Sequence, residues 1–263
     1  MKKATTVLIL LSITYSSCSK KNKGNRPDLP QADEFEINFE NFQSPPSTND
    51  NNYSNYLHAY QTVQPWIEVR KNELRLPLAI LYASGQAKAG YRGDNKGWLF
   101  KYEYEENGRT YKVKLYAEYQ NSFSQISWKM YVTQKEGFKD FLWMEGTTHA
   151  DHSQGVWTVY FSHDNNRPFM QISQHYNFST KKRKITYRFL SDLKMKADSY
   201  LEWGYEYSPP YDFFYNIFDN AKNNHISIQW SSLDGSGSIL DPLYFMNNNR
   251  QCWANNRKNT NCS

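Results

Sequence analysis

The stretch that decides the fold is Gly97–Tyr119, which reads GWLFKYEYEENGRTYKVKLYAEY. Aromatic and aliphatic residues alternate with charged residues on both sides of Asn107-Gly108. Alternation with a period of two predicts strands that have one buried side and one water-facing side. Asn-Gly between two such runs is typical of a tight hairpin turn. The stretch therefore predicts a β-hairpin with one aromatic face.

The same alternation continues toward the C-terminus. Six further alternating runs and one less regular run, 138–145, follow before Trp230, which makes about nine strands. Short connections between successive strands favour an antiparallel up-and-down meander. Because an open twisted sheet of that size tends to curl, we expect a mainly β (α+β) fold built on a curled sheet or half-barrel.

Residues 56–84 have a different period. Their apolar side chains recur every three or four positions, which indicates amphipathic helix. Pro65 and Pro77 are expected to divide this segment into short helices, since proline lacks the N–H that a helix interior requires. These N-terminal helices are the apolar material available to cover the aromatic face of the sheet.

The first residues have the pattern of an export signal. Lys2 and Lys3 precede the apolar run Ala4–Tyr15, and small residues follow, which predicts a cleaved signal at 1–17. The segment Tyr15-Ser16-Ser17-Cys18 resembles a bacterial lipobox. That resemblance implies a diacylglycerol on Cys18, a membrane anchor through this lipid, and a location at the cell envelope, in the outer membrane.

We expect residues 18–55 to form a flexible tether and 56–263 a single β-rich domain. The tether segment is rich in Asn, Pro, Ser and acidic residues and has no sustained period. Four apolar residues within it leave an alternative open, in which part of the segment docks on the domain in extended form. They are Phe35, Ile37, Phe39 and Phe42.

The chain has three cysteines, Cys18, Cys252 and Cys262. An odd number leaves one thiol unpaired in an oxidising compartment, and acylation of Cys18 would remove that thiol. Cys252 and Cys262 are then predicted to form a disulfide that closes the C-terminal loop.

Composition excludes some partners and motifs exclude some chemistry. The formal charge of +5 falls to +3 when Lys2 and Lys3 leave with the signal, which is not the surface of a nucleic-acid-binding protein. No nucleophile elbow, zinc-protease, phosphate-loop or dinucleotide motif occurs. The His149–His152 segment is interpreted as a solvated turn rather than a metal site. We therefore predict no catalytic residues, no metal and no cofactor.

The aromatic surplus is the feature with functional promise: 8 Trp, 21 Tyr and 15 Phe. These residues suit strands and fill cores. Where they are left uncovered, they form a surface for acyl chains or sugar rings. The stretch 205–215 is the densest patch. The candidates for a ligand-binding face are Tyr102, Trp128, Trp157, Trp203, Tyr205 and Trp230.

The layout resembles lipoprotein-carrier folds, in which a half-barrel with inserted helices shelters acyl chains. It also resembles uncharacterised bacterial lipoproteins built as Trp/Tyr-rich meanders that end in a Trp-containing disulfide loop. The resemblance implies a non-catalytic module for an apolar or lipid-like ligand. The alternatives are an interaction lipoprotein with a filled core, whose partner is another envelope protein, and a hydrolase or carbohydrate-binding protein.

Overall fold

The computed structural model describes residues 25–42, 44, 51–93, 97–120 and 124–262, so the predicted signal and Cys18 lie outside the described residues. The protein is mainly β. All its strands form one antiparallel sheet that does not close, and their spatial order is their sequence order. The strands are β1 Lys88–Arg92, β2 Gly97–Glu106, β3 Arg109–Gln120, β4 Gln125–Gln134, β5 Phe141–His149, β6 Gln154–Tyr160, β7 Pro168–Asn177, β8 Lys182–Phe189, β9 Tyr200–Ser208, β10 Tyr211–Asp219, β11 Asn224–Trp230, β12 Gly237–Leu240, β13 Gln251–Trp253 and β14 Asn259–Thr260.

The sheet has 14 strands, so the expectation of about nine was wrong. Strands β12, β13 and β14 are only two to four residues long, and a period of two cannot be recognised in so few positions. In β10 both Phe214 and Tyr215 are buried, so the alternation is lost there. The edge strand β1 has no buried residue and gives no apolar pattern.

The register of the sheet separates an apolar face from a polar one. One row of directly paired residues crosses seven strands from β3 to β9, and all its members are buried except Gly146, which is half-buried. We call this side the core face and the other side the outer face. The row consists of Ala117, Trp128, Gly146, Trp157, Ile172, Tyr187 and Leu201.

Gly146 is the narrow point of this row. It pairs with Trp128 on one side and Trp157 on the other, and the two indoles stack above it with ring centres 6.2 Å apart. A Cβ on Gly146 would lie 2.6 Å from the ring of Trp157. Glycine is therefore required here so that the two large rings can meet over the backbone.

A helical segment, 51–86, packs on the core face. It comprises α1 Ser54–Val69, a π-helical turn Arg70–Leu74 and α2 Arg75–Tyr82, flanked by short 3-10 turns. The prediction that Pro65 and Pro77 break the segment was wrong. Val63 and Trp66 beside Pro65 are at most 1% exposed, so tertiary packing outweighs one lost hydrogen bond. Pro77 closely follows the π-helical turn, where the regular α-helical hydrogen-bond pattern is already interrupted.

Residues 25–42 form an extended segment that we call the strap. Phe35 and Phe42 are fully buried, and Ile37 and Phe39 are at most 8% exposed, all within the same core as the sheet and the helices. Phe35 contacts Trp157 of β6, with ring centres 5.3 Å apart. This part of the predicted tether is therefore packed on the domain, as in the docking alternative. Apolar side chains at positions 35, 37, 39 and 42 give the segment an apolar edge.

The strap is not paired with any strand in the part of the chain that the structure describes, and tyrosine hydroxyls bind its carbonyl groups instead. A buried carbonyl needs a donor, and a tyrosine supplies one while its ring fills the core. The donors come from β8, β10 and α1. The pairs are Tyr187 with Phe35 at 2.5 Å, Tyr215 with Asn38, and Tyr56 with Asn41 at 2.8 Å.

Charged groups also hold the strap. Buried Glu34 accepts a hydrogen bond from its own segment, and its Oε1 lies 2.7 Å from Nδ1 of His152 in the β5–β6 turn. Arg183 of β8 donates to Asp33 Oδ2 at 2.6 Å. These contacts fix the strap at one end of the sheet, where the turns β5–β6 and β7–β8 lie.

Replacing Gly146 by alanine is expected to lower the free energy of unfolding by about 1–3 kcal/mol, because Trp157 and the backbone of Val156 must move. The control is Gly90→Ala, since a Cβ at Gly90 meets nothing within 4 Å. Urea unfolding of both variants measures the difference. Equal effects at the two positions would contradict the close approach over Gly146.

Tyr187→Phe is expected to lower the free energy of unfolding by about 1–3 kcal/mol, because the buried carbonyl of Phe35 loses its donor. Tyr200→Phe is the control, since the described residues include no hydrogen-bond partner for the Tyr200 hydroxyl, and a change below about 0.5 kcal/mol is expected. If Tyr187→Phe is as harmless as its control, the strap is not held through this hydroxyl.

The hydrogen bond to Glu34 raises the pKa of His152 above its usual value of 6.5, against the opposing effect of burial. Because the folded-state pKa is the higher one, this contribution to stability is complete below about pH 6.5 and is lost as the pH rises through the folded-state pKa. An NMR titration of the imidazole should show the raised pKa, and Glu34→Gln should remove most of the shift. A His152 pKa at or below 6.5 in the unmodified protein would contradict the contact.

Candidate functional site

A cavity of about 810 Å³ opens on the outer face where β1–β4 lie side by side. We call it the outer groove. Its floor comes from paired positions of β3 and β4, and Asp140 from the loop before β5 completes one side. The side chains that define it are Arg92, Lys114, Tyr116, Glu118, Lys129, Tyr131 and Asp140.

Gly97 lies at one end of the groove. It stands between Arg92 of β1 and Glu118 of β3 in a single row of paired residues. Gly97 is itself buried, so neighbouring groups cover its backbone. The next rows place Tyr116 opposite Lys129, and Lys114 opposite Tyr131. Aromatic and cationic side chains therefore alternate along the floor.

Two tyrosines give the groove its apolar surface. The rings of Tyr116 and Tyr131 meet edge to face, with centres 5.7 Å apart and planes at 89°. The guanidinium carbon of Arg92 lies 5.6 Å from the centre of the Tyr116 ring, within the range of a cation–π contact. Both tyrosines are half-buried, although their neighbours on this face are polar.

The charges of the groove are of both signs. Lys114 Nζ lies 2.8 Å from Asp140 Oδ1, and this hydrogen bond raises the pKa of the lysine and lowers that of the carboxyl group. Lys129 Nζ lies 3.9 Å from Glu145 Oε2. Exposed pairs of this kind contribute little to stability, so a polar ligand can take their place at small cost.

The described residues that line the groove include no histidine and no cysteine. Serine is represented by Ser127, which has no imidazole beside it in that lining. The groove offers ring faces, hydrogen-bond donors and acceptors, which suits reversible binding of a polar molecule.

A second, smaller cavity of about 460 Å³ lies on the same face across β7–β12. It repeats the tyrosine–arginine contact: the guanidinium carbon of Arg188 is 5.4 Å from the ring centre of Tyr200. The rest of its lining is mostly hydroxyl, amide and charged groups, among them Glu202 and Asn216, whose side chains are 3.2 Å apart. It provides a natural comparison for the outer groove.

The structure places four of the predicted ligand-binding tryptophans on the core face. Trp128, Trp157, Trp203 and Trp230 are at most 8% exposed. The helical segment and the strap fill the space in front of this face, and Trp66 is itself only 1% exposed. We therefore do not retain these residues as contacts for an acyl chain.

The two predicted tyrosines also pack against this core. Tyr102 is half-buried and donates a hydrogen bond to the carbonyl of Ile80 in α2 at 2.9 Å. Tyr205 lies 6.0 Å from Phe213, ring centre to ring centre. Neither residue lines the outer groove. Tyr102 thus joins sheet to helix, and Tyr205 belongs to an aromatic cluster.

That cluster brings together three of the six predicted residues. Phe213 stacks between Trp203 and Trp230, at 6.0 and 5.6 Å, and Tyr205 borders it. A pocket of about 310 Å³ lies beside it, against Asn41 and its neighbours in the strap. Phe213 and Trp230 both line this pocket, so part of the ring surface of the cluster borders it.

The cysteine pair lies near this cluster. Cys252 and Cys262 form a disulfide with a Cα–Cα distance of 5.3 Å. The hydroxyl of Tyr211 lies 3.8 Å from Cys252 Sγ. The disulfide joins β13 to the C-terminal residues that follow β14.

Two groups of side chains combine a histidine with a carboxylate, as catalytic centres do. Nε2 of His58 lies 2.9 Å from Oδ2 of buried Asp241, whose other oxygen accepts from Asn224 at 2.8 Å. Burial alone would raise the pKa of Asp241, but these hydrogen bonds outweigh it and the pKa is lowered. No described hydrogen bond joins this imidazole to a serine, threonine or cysteine side chain. The ring of Tyr244 stacks on it at 3.5 Å, so the pair anchors the short helix α3, Pro242–Phe245.

In the β5–β6 turn, Ser153 Oγ lies 3.2 Å from His149 Nδ1. Asp151 accepts the backbone N–H of Ser153 at 2.9 Å, and the two side chains also interact, which lowers the pKa of Asp151. The carboxylate therefore accepts hydrogen bonds from the serine and not from the imidazole. In a catalytic triad the carboxylate binds the imidazole. His152 binds Glu34, so the histidines of this turn do not converge on a common point.

Comparisons with known proteins found no matching family model, no similar curated protein and no similar solved structure. In the part of the chain that the structure describes, no helix has the length and hydropathy of a membrane span. The function is therefore inferred from the geometry of the molecule.

Sequence reasoning did not select the residues of the outer groove, although a signal for them exists. Tyr116 and Tyr131 lie in the charged phase of the alternation, in register with Lys114 and Lys129. An aromatic residue in that phase faces water. Each of these two tyrosines is paired with a lysine of the adjacent strand. Together the two rings form an apolar spot on the polar side of the sheet.

Proposed function

We propose that this chain is an exported lipoprotein, anchored in the outer membrane through Cys18, whose outer groove binds a carbohydrate without changing it. One observation supports the binding site above all: the pair Tyr116 and Tyr131, with Arg92 over the first ring, in a groove whose other lining side chains are mostly polar. The anchor is supported by the lipobox-like Tyr15-Ser16-Ser17-Cys18 and by the pairing of the other two cysteines.

A sugar ring fits this chemistry because it combines apolar C–H faces with a rim of hydroxyl groups. The tyrosine rings supply the matching apolar surface, and Glu118, Ser127, Lys129 and Asp140 supply acceptors and donors. The cavity volume is within the range of small-ligand sites, about 300–1,000 Å³. Since both signs of charge are present, a neutral or zwitterionic sugar is favoured over a polyanion.

An apolar ligand inside the sheet is the less supported proposal. The space it would need on the core face holds Phe35, Trp66, Leu74 and Leu81, all at most 1% exposed. An acyl chain in the outer groove would lie against lysine and carboxylate groups, which it would desolvate without giving hydrogen bonds in return. A carbohydrate avoids that penalty.

We also propose that the sheet curls around the strap and the helices as a half-barrel. Phe35 contacts Trp157 of β6 and Phe42 contacts Trp253 of β13. A sheet that wraps around the strap brings β6 and β13 to the two ends of this short segment and keeps the outer face open to ligands.

A second candidate function is that of an interaction lipoprotein with a filled core, whose partner is another envelope protein. The observation that favours it is the loop around α3. Leu243, Tyr244 and Met246 are exposed by 52, 56 and 85%, which is unusual for three apolar residues so close together. This function and carbohydrate binding use different surfaces.

The binding site is tested with Tyr116→Ala and Tyr131→Ala. A glycan array screened with the unmodified domain identifies a ligand, and calorimetry then measures its affinity. Each variant is expected to weaken binding at least about tenfold, since a stacking surface worth about 1.4 kcal/mol or more is lost.

Tyr200→Ala is the matched control, because it removes the same tyrosine–arginine contact from the second cavity. It should leave the affinity unchanged. Binding that survives both groove variants, or that is lost in Tyr200→Ala instead, would place the site elsewhere. The absence of any bound glycan would favour the interaction lipoprotein.

A further inference from the structure

The strap enters the domain close to the predicted anchor. Only six residues lie between Cys18 and Asn25, the first described residue, so seven steps of the chain join the two. The guanidinium carbon of Arg26 lies 5.2 Å from the centre of the Phe100 ring in β2. Asp28 also adds to the raised pKa of Tyr119, near the end of β3, and of His152, in the β5–β6 turn. The beginning of the strap is therefore located at one particular end of the strands.

We call this end of the sheet the strap end. Because the sheet is an antiparallel meander, it carries the turns β1–β2, β3–β4, β5–β6, β7–β8, β9–β10, β11–β12 and β13–β14. The strap lies along this end, where Glu34 contacts His152 and Asp33 accepts a hydrogen bond from Arg183. The remaining connections, including α3, lie at the opposite end.

Two turns of the strap end present bare apolar side chains to water. Phe178 in the β7–β8 turn is 56% exposed, and Leu233 in the β11–β12 turn is 94% exposed. Both stand at hairpin tips, where a core role is excluded and a polar residue would be the ordinary choice. Pro209 and Pro210, in the β9–β10 turn between them, are exposed as well.

The length of chain before the strap limits how the domain can stand on a membrane. Seven steps of the chain reach at most about 25 Å when fully extended. Strands β2 to β4, with 10 to 12 residues, are about 33–40 Å long. If the opposite end of the sheet rested on the lipid, the beginning of the strap would stand at or beyond the distance that these seven steps of the chain can span. The strap end, in contrast, can rest on the bilayer without any stretching.

We propose that the strap end docks on the lipid bilayer, with Phe178 and Leu233 inserted at the interface. This inference rests on the proposed anchor at Cys18 and adds an orientation to it. The charges near the two tips differ in sign, since Lys181 and Lys182 follow Phe178 whereas Asp234 follows Leu233. Because the proposed insertion uses the two apolar side chains, it should persist at high ionic strength.

The experiment uses the full chain, produced with its signal and reconstituted into vesicles that contain lipids with nitroxide-labelled acyl chains. Ser179→Cys places a fluorophore beside Phe178, and Asn166→Cys places it in the β6–β7 loop at the opposite end. Both positions are exposed, and the native Cys252–Cys262 disulfide leaves the new thiol as the labelling site.

Strong quenching at position 179, little at position 166, and a pattern that persists at high salt are expected. In a further variant, Phe178→Asp with Leu233→Asp, the quenching at 179 should fall several-fold while the protein stays in the vesicle fraction through its lipid. Stronger quenching at 166, or equal quenching at both positions, would overturn the orientation.

Mass spectrometry of the N-terminal peptide separates the two levels of the proposal. An acylated Cys18 with the wrong quenching pattern overturns only the orientation. A peptide without lipid overturns the anchor, and the orientation that depends on it falls as well. Folding of the tip variants is checked by their unchanged urea midpoint, since both side chains are exposed.

Discussion

The structure depends on the burial of an unpaired segment, the strap, between the sheet and the helices. A segment outside the sheet has carbonyl groups that no strand satisfies, and each would weaken the fold by about 1–3 kcal/mol if left without a donor. Tyrosines of the core meet this need because their rings fill space and their hydroxyls donate. Tyr187, Tyr215 and Tyr56 each do so for one strap carbonyl. This dual role accounts for part of the tyrosine surplus in the composition.

A filled core determines where function can lie. With Phe35 and Trp66 in front of the tryptophans, the core face is a solid interior, and binding is left to the outer face and to the turns. On the outer face, the groove runs along Tyr116 and Tyr131 and lies among exchangeable ion pairs. At the strap end, the same segment that closes the core also brings the predicted lipid anchor close to two apolar tips. One end of the groove, at Arg92 and Gly97, lies at the β1–β2 turn and therefore at this strap end as well.

The sequence was a good guide wherever a pattern was long enough to repeat. The alternation around Asn107-Gly108 predicted the antiparallel meander, and Trp128 and Trp157 lie on one face as the period requires. The short strands β12–β14 could not be recognised because two to four residues carry no period. Docking of the strap was only an open alternative, because the partners that stabilise it lie more than 100 residues away in the sequence, as Tyr187 does. The outer groove was missed because Tyr116 was counted with the charged residues of its strand, and only the register reveals that it meets Tyr131.

Native mass spectrometry of the protein, extracted gently from the membrane of its own cells, tests the central claim most directly. If the interior is solid, the mass equals that of the chain with its covalent lipid, and no further acyl lipid stays bound when the detergent is removed. A stoichiometric, non-covalently held lipid that survives this step would contradict the account, because the described core leaves no place for one.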